Sequence, residues 1–286
     1  MIATPPQIIV VGSVNLDLAA RVDRLPVPGE TVTGAELHRF PGGKGANQAL
    51  AARRLGADVT LVARVGKDAA AEEALALLRA AGVDLSRCLA DAIAPTGIAL
   101  ISVAPSGENY IVVAPGANRL LRPEMLALPE ADALICQLEV PAETLCRAGE
   151  QFEGFFCVNL APAMNVPEAI VERADLIVVN ETEAAFYGDR LRLNRGFIAL
   201  THGALGAELR RGGEVVARTT PPRVTAVDTT GAGDTFTAAL TLALVEGRSP
   251  HDALAFACAA GALATTKHGA QPSLPFRAEV EALLQK

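Results

Sequence analysis

Short, largely apolar runs recur along this chain: QIIVVG at residues 7–12, DVTLVARVG at 58–66, ALICQLEV at 133–140, GFFCVNLAP at 154–162, ADLIVVN at 174–180 and GFIALTHG at 196–203. Runs of that length, rich in β-branched residues, suit strands buried on both faces, as in a parallel sheet. Helix-forming stretches are interleaved with them, at residues 45–55 (GANQALAARRL), at 70–80, and from Thr235 and Pro250 onward. Alternating strand and helix places helices on both faces of the sheet, so the expected fold is α/β with three layers and a mostly parallel centre.

Two stretches depart from this texture. Residues 14–40, broken by the turn LPVPGE, and residues 96–117, with a hairpin signal at Ser106–Gly107, alternate apolar and polar side chains. Such alternation predicts half-buried antiparallel strands. They read as insertions that meet in space as a small β lid. With no repeat, low-complexity tract or linker, residues 1–286 are expected to form one domain carrying that lid.

Half of the 286 residues are apolar, enough for a large core. The formal charge of −7 argues against general nucleic-acid binding, which needs a basic face. It leaves room for a nucleotide, whose phosphates can be held by backbone N–H groups and a metal ion. The start, MIATPPQIIVVG, does not read as a secretory signal, and no apolar stretch approaches a bilayer's thickness. The five cysteines, Cys88, Cys136, Cys146, Cys157 and Cys258, form no CxxC pair, which points to buried reduced thiols and a cytoplasmic protein.

The richest segment is AVDTTGAGDTF at 226–236, followed at once by good helix formers. Gly231 and Gly233 remove side chains where a loop would approach a ligand, and the helix start beyond them offers free N–H groups and a positive dipole to a phosphoryl group. Asp234, in the first turn, is the right kind of group to accept a hydroxyl proton. Taken alone, GxGD reads more readily as a tight turn with an N-terminal helix acid.

A polar cluster lies elsewhere. Asn15 and Asp17, in GSVNLD, follow the first strand at the edge where α/β proteins bind ligands, and a spacing of two puts them on one face of an extended segment. Gly42, Gly43, Lys44, Gly45 and Asn47 form a second group, and Glu139 follows a strand in QLEVP. Asp17 as a loop acid and Glu139 as a strand-end residue are equally open readings. GGKGAN lacks the P-loop spacing, and the first strand lacks GxGxxG, which counts against a dehydrogenase.

Four motifs, in order, resemble the ribokinase branch of the phosphofructokinase-B sugar kinase family: PGGKGANQALAARRLG at 41–56, NETEA at 180–184, LTHGALG at 200–206 and DTTGAGDTF at 228–236. The resemblance spans nearly the whole chain. It implies the ribokinase-like fold and ATP-dependent phosphorylation of D-ribose at its 5-hydroxyl, with another sugar or nucleoside, or a non-catalytic sugar- or nucleotide-binding relative, as alternatives. A sugar-processing hydrolase would not need NETE and GAGD together.

Carried over residue by residue, the resemblance makes Asp234 the catalytic base. The sugar would be bound by Asn15, Leu16, Asp17, Gly43, Lys44, Gly45, Ala46, Asn47 and Glu139, together with Asp234. Asn180, the loop Thr201, His202, Gly203, Ala204, Leu205 and Gly206, the turn Gly231, Ala232 and Gly233, and Cys258 would contact ATP. Glu183 would serve Mg²⁺, largely through water, although Asn180 and Glu183 also suit a helix cap. Asp228, Thr230, Ala264, Lys267, Gly269 and Ser273 match a K⁺ site built mostly from carbonyls. His202 and Ala204 depart from the commoner residues of the nucleotide loop. The resemblance also implies a homodimer joined through the lid. Between NETEA and LTHG the chain has room for about one helix fewer than the family usually carries, which leaves a sheet face uncovered.

Overall fold

A computed structural model describes residues 4–105 and 108–285. The predicted turn at Ser106–Gly107 therefore lies outside the described residues. β1 (Gln7–Val11) enters the core and β2 (Asn15–Arg21) leaves it, and β3 (Glu36–Gly42) returns to α1 (Lys44–Arg54) and β4 (Asp58–Gly66). Next come α2 (Ala69–Ala74), α3 (Ala76–Ala81), β5 (Cys88–Asp91) and a second excursion, β6 (Gly97–Val103) and β7 (Asn109–Ala114). The predicted helix over 70–80 is thus interrupted at Leu75, where φ and ψ are −94° and −4°.

The chain then alternates regularly: β8 (Ala133–Gln137), α4 (Ala142–Gln151), β9 (Phe155–Asn159), α5 (Glu168–Arg173), β10 (Leu176–Asn180), α6 (Glu181–Tyr187) and β11 (Phe197–Thr201). A hairpin, β12 (Ala207–Arg211) and β13 (Glu214–Thr219), precedes α7 (Ala232–Val245), α8 (Pro250–Ala264), α9 (Ala270–Ser273) and α10 (Arg277–Leu284).

The nine-stranded sheet has the order β13-β12-β11-β10-β9-β8-β1-β4-β5 and is parallel from β11 to β5, with the β12–β13 hairpin antiparallel at one end. Its strands alternate between two cores, as period-two geometry requires. Ile8 and Val10 join the core against α1, α7 and α8, while Ile9 and Val11 join the one that includes α4 and α5. α7 is buried on every side from Asp234 to Ala243, which explains its unbroken run of small and apolar residues. No described helix is long and apolar enough to cross a membrane.

The second sheet has the order β3-β2-β6-β7. β2 pairs antiparallel with β3, and β6 with β7, but β2 and β6 run parallel, from Asn15↔Gly97 to Arg21↔Val103. Both strands leave the carboxyl edge of the main sheet, β2 from β1 and β6 from β5, so they set out in the same direction. The expectation of purely antiparallel pairing is corrected at that one contact. β7 is exposed along its whole length, with Tyr110, Ile111, Val112 and Val113 each at least 44% accessible.

α6 is followed by a single 3-10 stretch, Gly188–Leu193, before β11 begins. β10 and β11 are parallel and adjacent despite this short crossover. Over β10–β12 it leaves a groove of about 1250 Å³ lined by Val179, Ala184, Ile198, Leu200 and Arg210.

Candidate active site

The main sheet changes direction of winding at β1, with β4 on one side and β8 on the other, and ligand sites of open α/β sheets lie beyond the strand ends at such a point. There α7 begins. Gly231 caps it with φ 81°, a left-handed conformation that suits glycine. The helix starts at Ala232, three positions before the predicted Thr235, so Ala232, Gly233 and Asp234 form the first turn, where N–H groups have no intrahelical acceptor. A side chain added at Gly233 would meet nothing within 4 Å, so open space lies in front of this helix end.

Asp234 is 6% exposed. Asn47 Nδ2 donates to its Oδ2 and Gln48 Nε2 to its Oδ1, both at 2.9 Å. Burial pushes the carboxyl above its ordinary pKa, and Lys44, with the Asn47 and Gln48 donors, works against that push. The Oδ1 of Asn47 is buried without a partner, an acceptor left for a ligand.

α1 delivers Lys44, Asn47 and Gln48 to one flank by helical spacing. Its cap, Gly43, has φ 88°, and a Cβ there would lie 2.6 Å from Asn15 N, so the helix start packs directly on the β1–β2 crossing. Asn15 accepts from Asn118 Nδ2 at 2.8 Å, and Asn118 also binds both the N–H and the carbonyl of Val14. Ser13 Oγ donates to Glu139 Oε2 at 2.5 Å, which also accepts Lys44 N at 3.1 Å.

Asp17 lies over Gly42, where a Cβ would come within 2.3 Å of its carboxylate. Its burial, reinforced by Glu139 and Asp234, raises its pKa from 3.8 to about 7. Burial works to lower Lys44, but the carboxylates of Asp234, Glu139, Glu183 and Asp17 outweigh it and hold the ammonium charged. A pocket with that balance of carboxylates suits an uncharged polyol and disfavours a second phosphate.

Asn180 and Glu183 form a reciprocal cap on α6: Asn180 N donates to Glu183 Oε2 and Glu183 N to Asn180 Oδ1, each at 2.8 Å. Burial raises the Glu183 pKa. Residues 201–206 run from the end of β11 through one 3-10 turn, Gly203–Leu205, with Leu205 80% exposed. His202 Nδ1 lies 3.0 Å from Glu181 Oε1. Cys258 is buried on α8, and burial pushes its thiol to about 12.

Asp228 reaches both Thr230 and Gly269, so the loop before α7 and the loop before α9 are in contact. Ala264 closes α8 and Lys267 lies in the same connection, while Ser273 Oγ donates to Ala270 O at 2.7 Å. Among the described residues, no three His, Cys, Asp or Glu side chains converge as a metal site. Glu183 would therefore act on a divalent ion only alongside phosphate oxygens and water.

Of the residues singled out in the sequence, Asp17, Lys44, Asn47, Glu139 and Glu183 come together around Asp234, whereas residues 201–206 follow β11 and Cys258 lies within α8. Ser13, Gln48, Asn118, Gln137 and Asn159, also present, were not singled out. The signal for Gln137 and Asn159 is a lone amide at the carboxyl end of an otherwise apolar strand, β8 and β9.

A family model described as pfkB family carbohydrate kinase matches residues 5–277. The chain is 37% identical to a ribokinase of Bacillus subtilis over 291 aligned residues, covering 97% of this chain and 99% of that protein. A solved ribokinase from Thermotoga maritima is similar with a TM-score of 0.89 at 34% identity, covering 98% of this chain and 100% of the other. An Arabidopsis thaliana ribokinase, solved with ribose and ATP, gives 0.88 at 30% identity over 99% and 100% of the two chains.

Proposed function

The chain belongs to the pfkB family of carbohydrate kinases, and on that footing we propose that it transfers the γ-phosphoryl group of ATP to the 5-hydroxyl of D-ribose. One observation carries the reading: a buried carboxylate, Asp234, fixed at the first turn of α7 beside open space and a free helix N-terminus.

In this reading Asn15, Asp17, Lys44, Asn47 and Glu139, with the backbone of Leu16, Gly43, Gly45 and Ala46, hold the sugar hydroxyls. Asp234 accepts the proton of the attacking hydroxyl as its oxygen bonds to the γ-phosphorus and the bond to the ADP oxygen breaks. Its elevated pKa makes it a stronger base than a solvated aspartate. The N–H groups of Gly231 and Gly233 are the donors offered to the charge that builds on the phosphoryl oxygens, that of Ala232 being donated to Thr229 O at 3.2 Å until ATP binds, and a donor so placed is worth roughly 3–4 kcal/mol of barrier.

ATP lies along residues 201–206, with Asn180 near its phosphates and Cys258 beside the base. Glu183 would hold Mg²⁺, which would supply charge neutralisation on the phosphates, and Asp228, Thr230, Ala264, Lys267, Gly269 and Ser273 would hold K⁺, bracing the anion-holding loop. Residues 1–286 act as one cytoplasmic catalytic unit whose lid pairs with that of a second copy. The test is ADP release with ribose, deoxyribose, fructose and nucleosides as acceptors. Ribose is expected to give the highest kcat/KM, and a nucleoside preferred over ribose would overturn the assignment.

A further inference from the structure

Behind Asp234 lies a chain of amides that the reaction just described does not use. Gln48 Nε2, 2.9 Å from Asp234 Oδ1, is also 3.3 Å from Asn159 Oδ1, and Gln48 Oε1 accepts from Gln137 Nε2 at 2.7 Å. Asn159 Nδ2 donates to Val178 O at 3.1 Å. Gln48 and Gln137 are fully buried and Asn159 is 7% exposed.

These contacts fix which way the Asn159 and Gln48 amides point. An amide has a donor end and an acceptor end. Asn159 commits its NH₂ to β10, so its oxygen faces Gln48, and Gln137 turns its NH₂ to Gln48. Asn159 therefore requires Gln48 to present NH₂ to it and to the carboxylate, while Gln137, whose Oε1 is buried without a partner, matches that setting and does not impose it. A flipped Gln48 would set its oxygen against Asp234 and against Asn159 Oδ1, and its NH₂ against that of Gln137. Gln137 in turn relies on Gly12, where a Cβ would fall 2.0 Å from Gln137 Oε1.

We propose that Gln48, oriented by Asn159 and braced by Gln137, is a positioning residue that sets the rotation of the Asp234 carboxylate for proton abstraction. The proposal rests on Asp234 being the base. Asn47 and Gln48 take one oxygen each, and each oxygen keeps a second lone pair for the sugar hydroxyl. Lys44 from α1, Glu139 beyond β8, Asp17 from β2 and Glu183 from α6 are the charged groups acting on Asp234 or acted on by it.

The experiment compares Gln48→Leu, Gln137→Leu and the double variant, with Asp234→Asn as reference, measuring kcat, both KM values and the pH profile of kcat with ribose and ATP. Gln48→Leu is expected to lower kcat about 10–100-fold, the range for a lost hydrogen bond to a charged group, with both KM values within about twofold. The acid limb of the profile should move to higher pH, because a donor to the charged form has gone. Gln137→Leu should do the same by a smaller factor, and the double variant should be no worse than Gln48→Leu. Independent, additive losses, or an acid limb that stays in place, would overturn the proposal. Should Gln48→Leu not fold, Gln137→Leu alone decides by whether its acid limb moves. Wild-type turnover in Asp234→Asn would remove the base itself. An inactive Asp234→Asn beside an unaltered Gln48→Leu removes only the positioning role.

Discussion

Asp228 Oδ2 accepts the backbone N–H of Gly269 at 2.9 Å, while its Oδ1 takes the N–H and the hydroxyl of Thr230 at 2.9 and 2.6 Å. Burial tends to raise this carboxyl, but those donors outweigh it and hold the pKa below the ordinary value. One side chain thereby joins the loop that opens α7 to the loop that opens α9. Potassium in place of sodium, at matched ionic strength, should raise kcat of the wild type, and Asp228→Ala should lose that difference. Equal rates in the two salts would remove the cation from the reading.

Asp234→Asn keeps the shape of the side chain and removes its basicity. Loss of a general base costs roughly 10²–10⁴-fold in rate. The expected result is that fall in kcat with ATP affinity retained by equilibrium titration. Unchanged turnover would require another base.

Asp17 gives a stability prediction with a definite sign. Its pKa is 3.8 ordinarily and about 7 in the fold, so between those values the folded chain binds more protons than the unfolded one. Stability must then fall as pH rises through that window, by an upper limit on the order of 4 kcal/mol. Asp17→Asn should melt higher than the wild type above neutrality, and the gap should close in acid. The same variant should bind ribose more weakly. A melting difference that grows toward low pH would contradict the assignment.

The site was partly legible in sequence, for physical reasons. Gly231, Gly233 and Asp234 lie next to one another, and glycine followed by helix formers announces a helix N-terminus. Gln48 was hidden because its meaning depends on Gln137, 89 positions away, and Asp234, 186 away. The parallel β2–β6 pairing was hidden too, since alternation reports a half-buried strand and says nothing of its partner's direction. Asn180 and Glu183 carried both readings at once, and the helix cap is present without excluding a role for the remaining lone pairs.

The uncovered strand β7, exposed along its length and apolar from Ile111 to Ala114, is an edge that seeks a partner. Light scattering at high micromolar concentration should give a dimer, and Val112→Lys should give a monomer. A monomeric wild type would end this reading.

The groove over β10–β12 exposes apolar floor that a longer crossover would shield. Grafting one further helix between Tyr187 and Gly196 should raise the melting temperature and lower the KM for ATP more than that for ribose, by steadying the adjacent residues 201–206. If neither quantity moves, the short crossover is without effect.

Lys44, Asn47 and Gln48 act on Asp234 together only because positions three and four apart share a helix flank. One codon inserted between Gly43 and Asn47 would turn the rest of α1 by about 100°, removing both amide contacts in a single event that no point substitution reproduces. An insertion in the stretch Gly188–Leu193 lengthens only a surface connection. Tolerance to change of length, as distinct from change of residue, is therefore graded across this chain, lowest where one helical turn sets the geometry of the carboxylate and highest over the open groove.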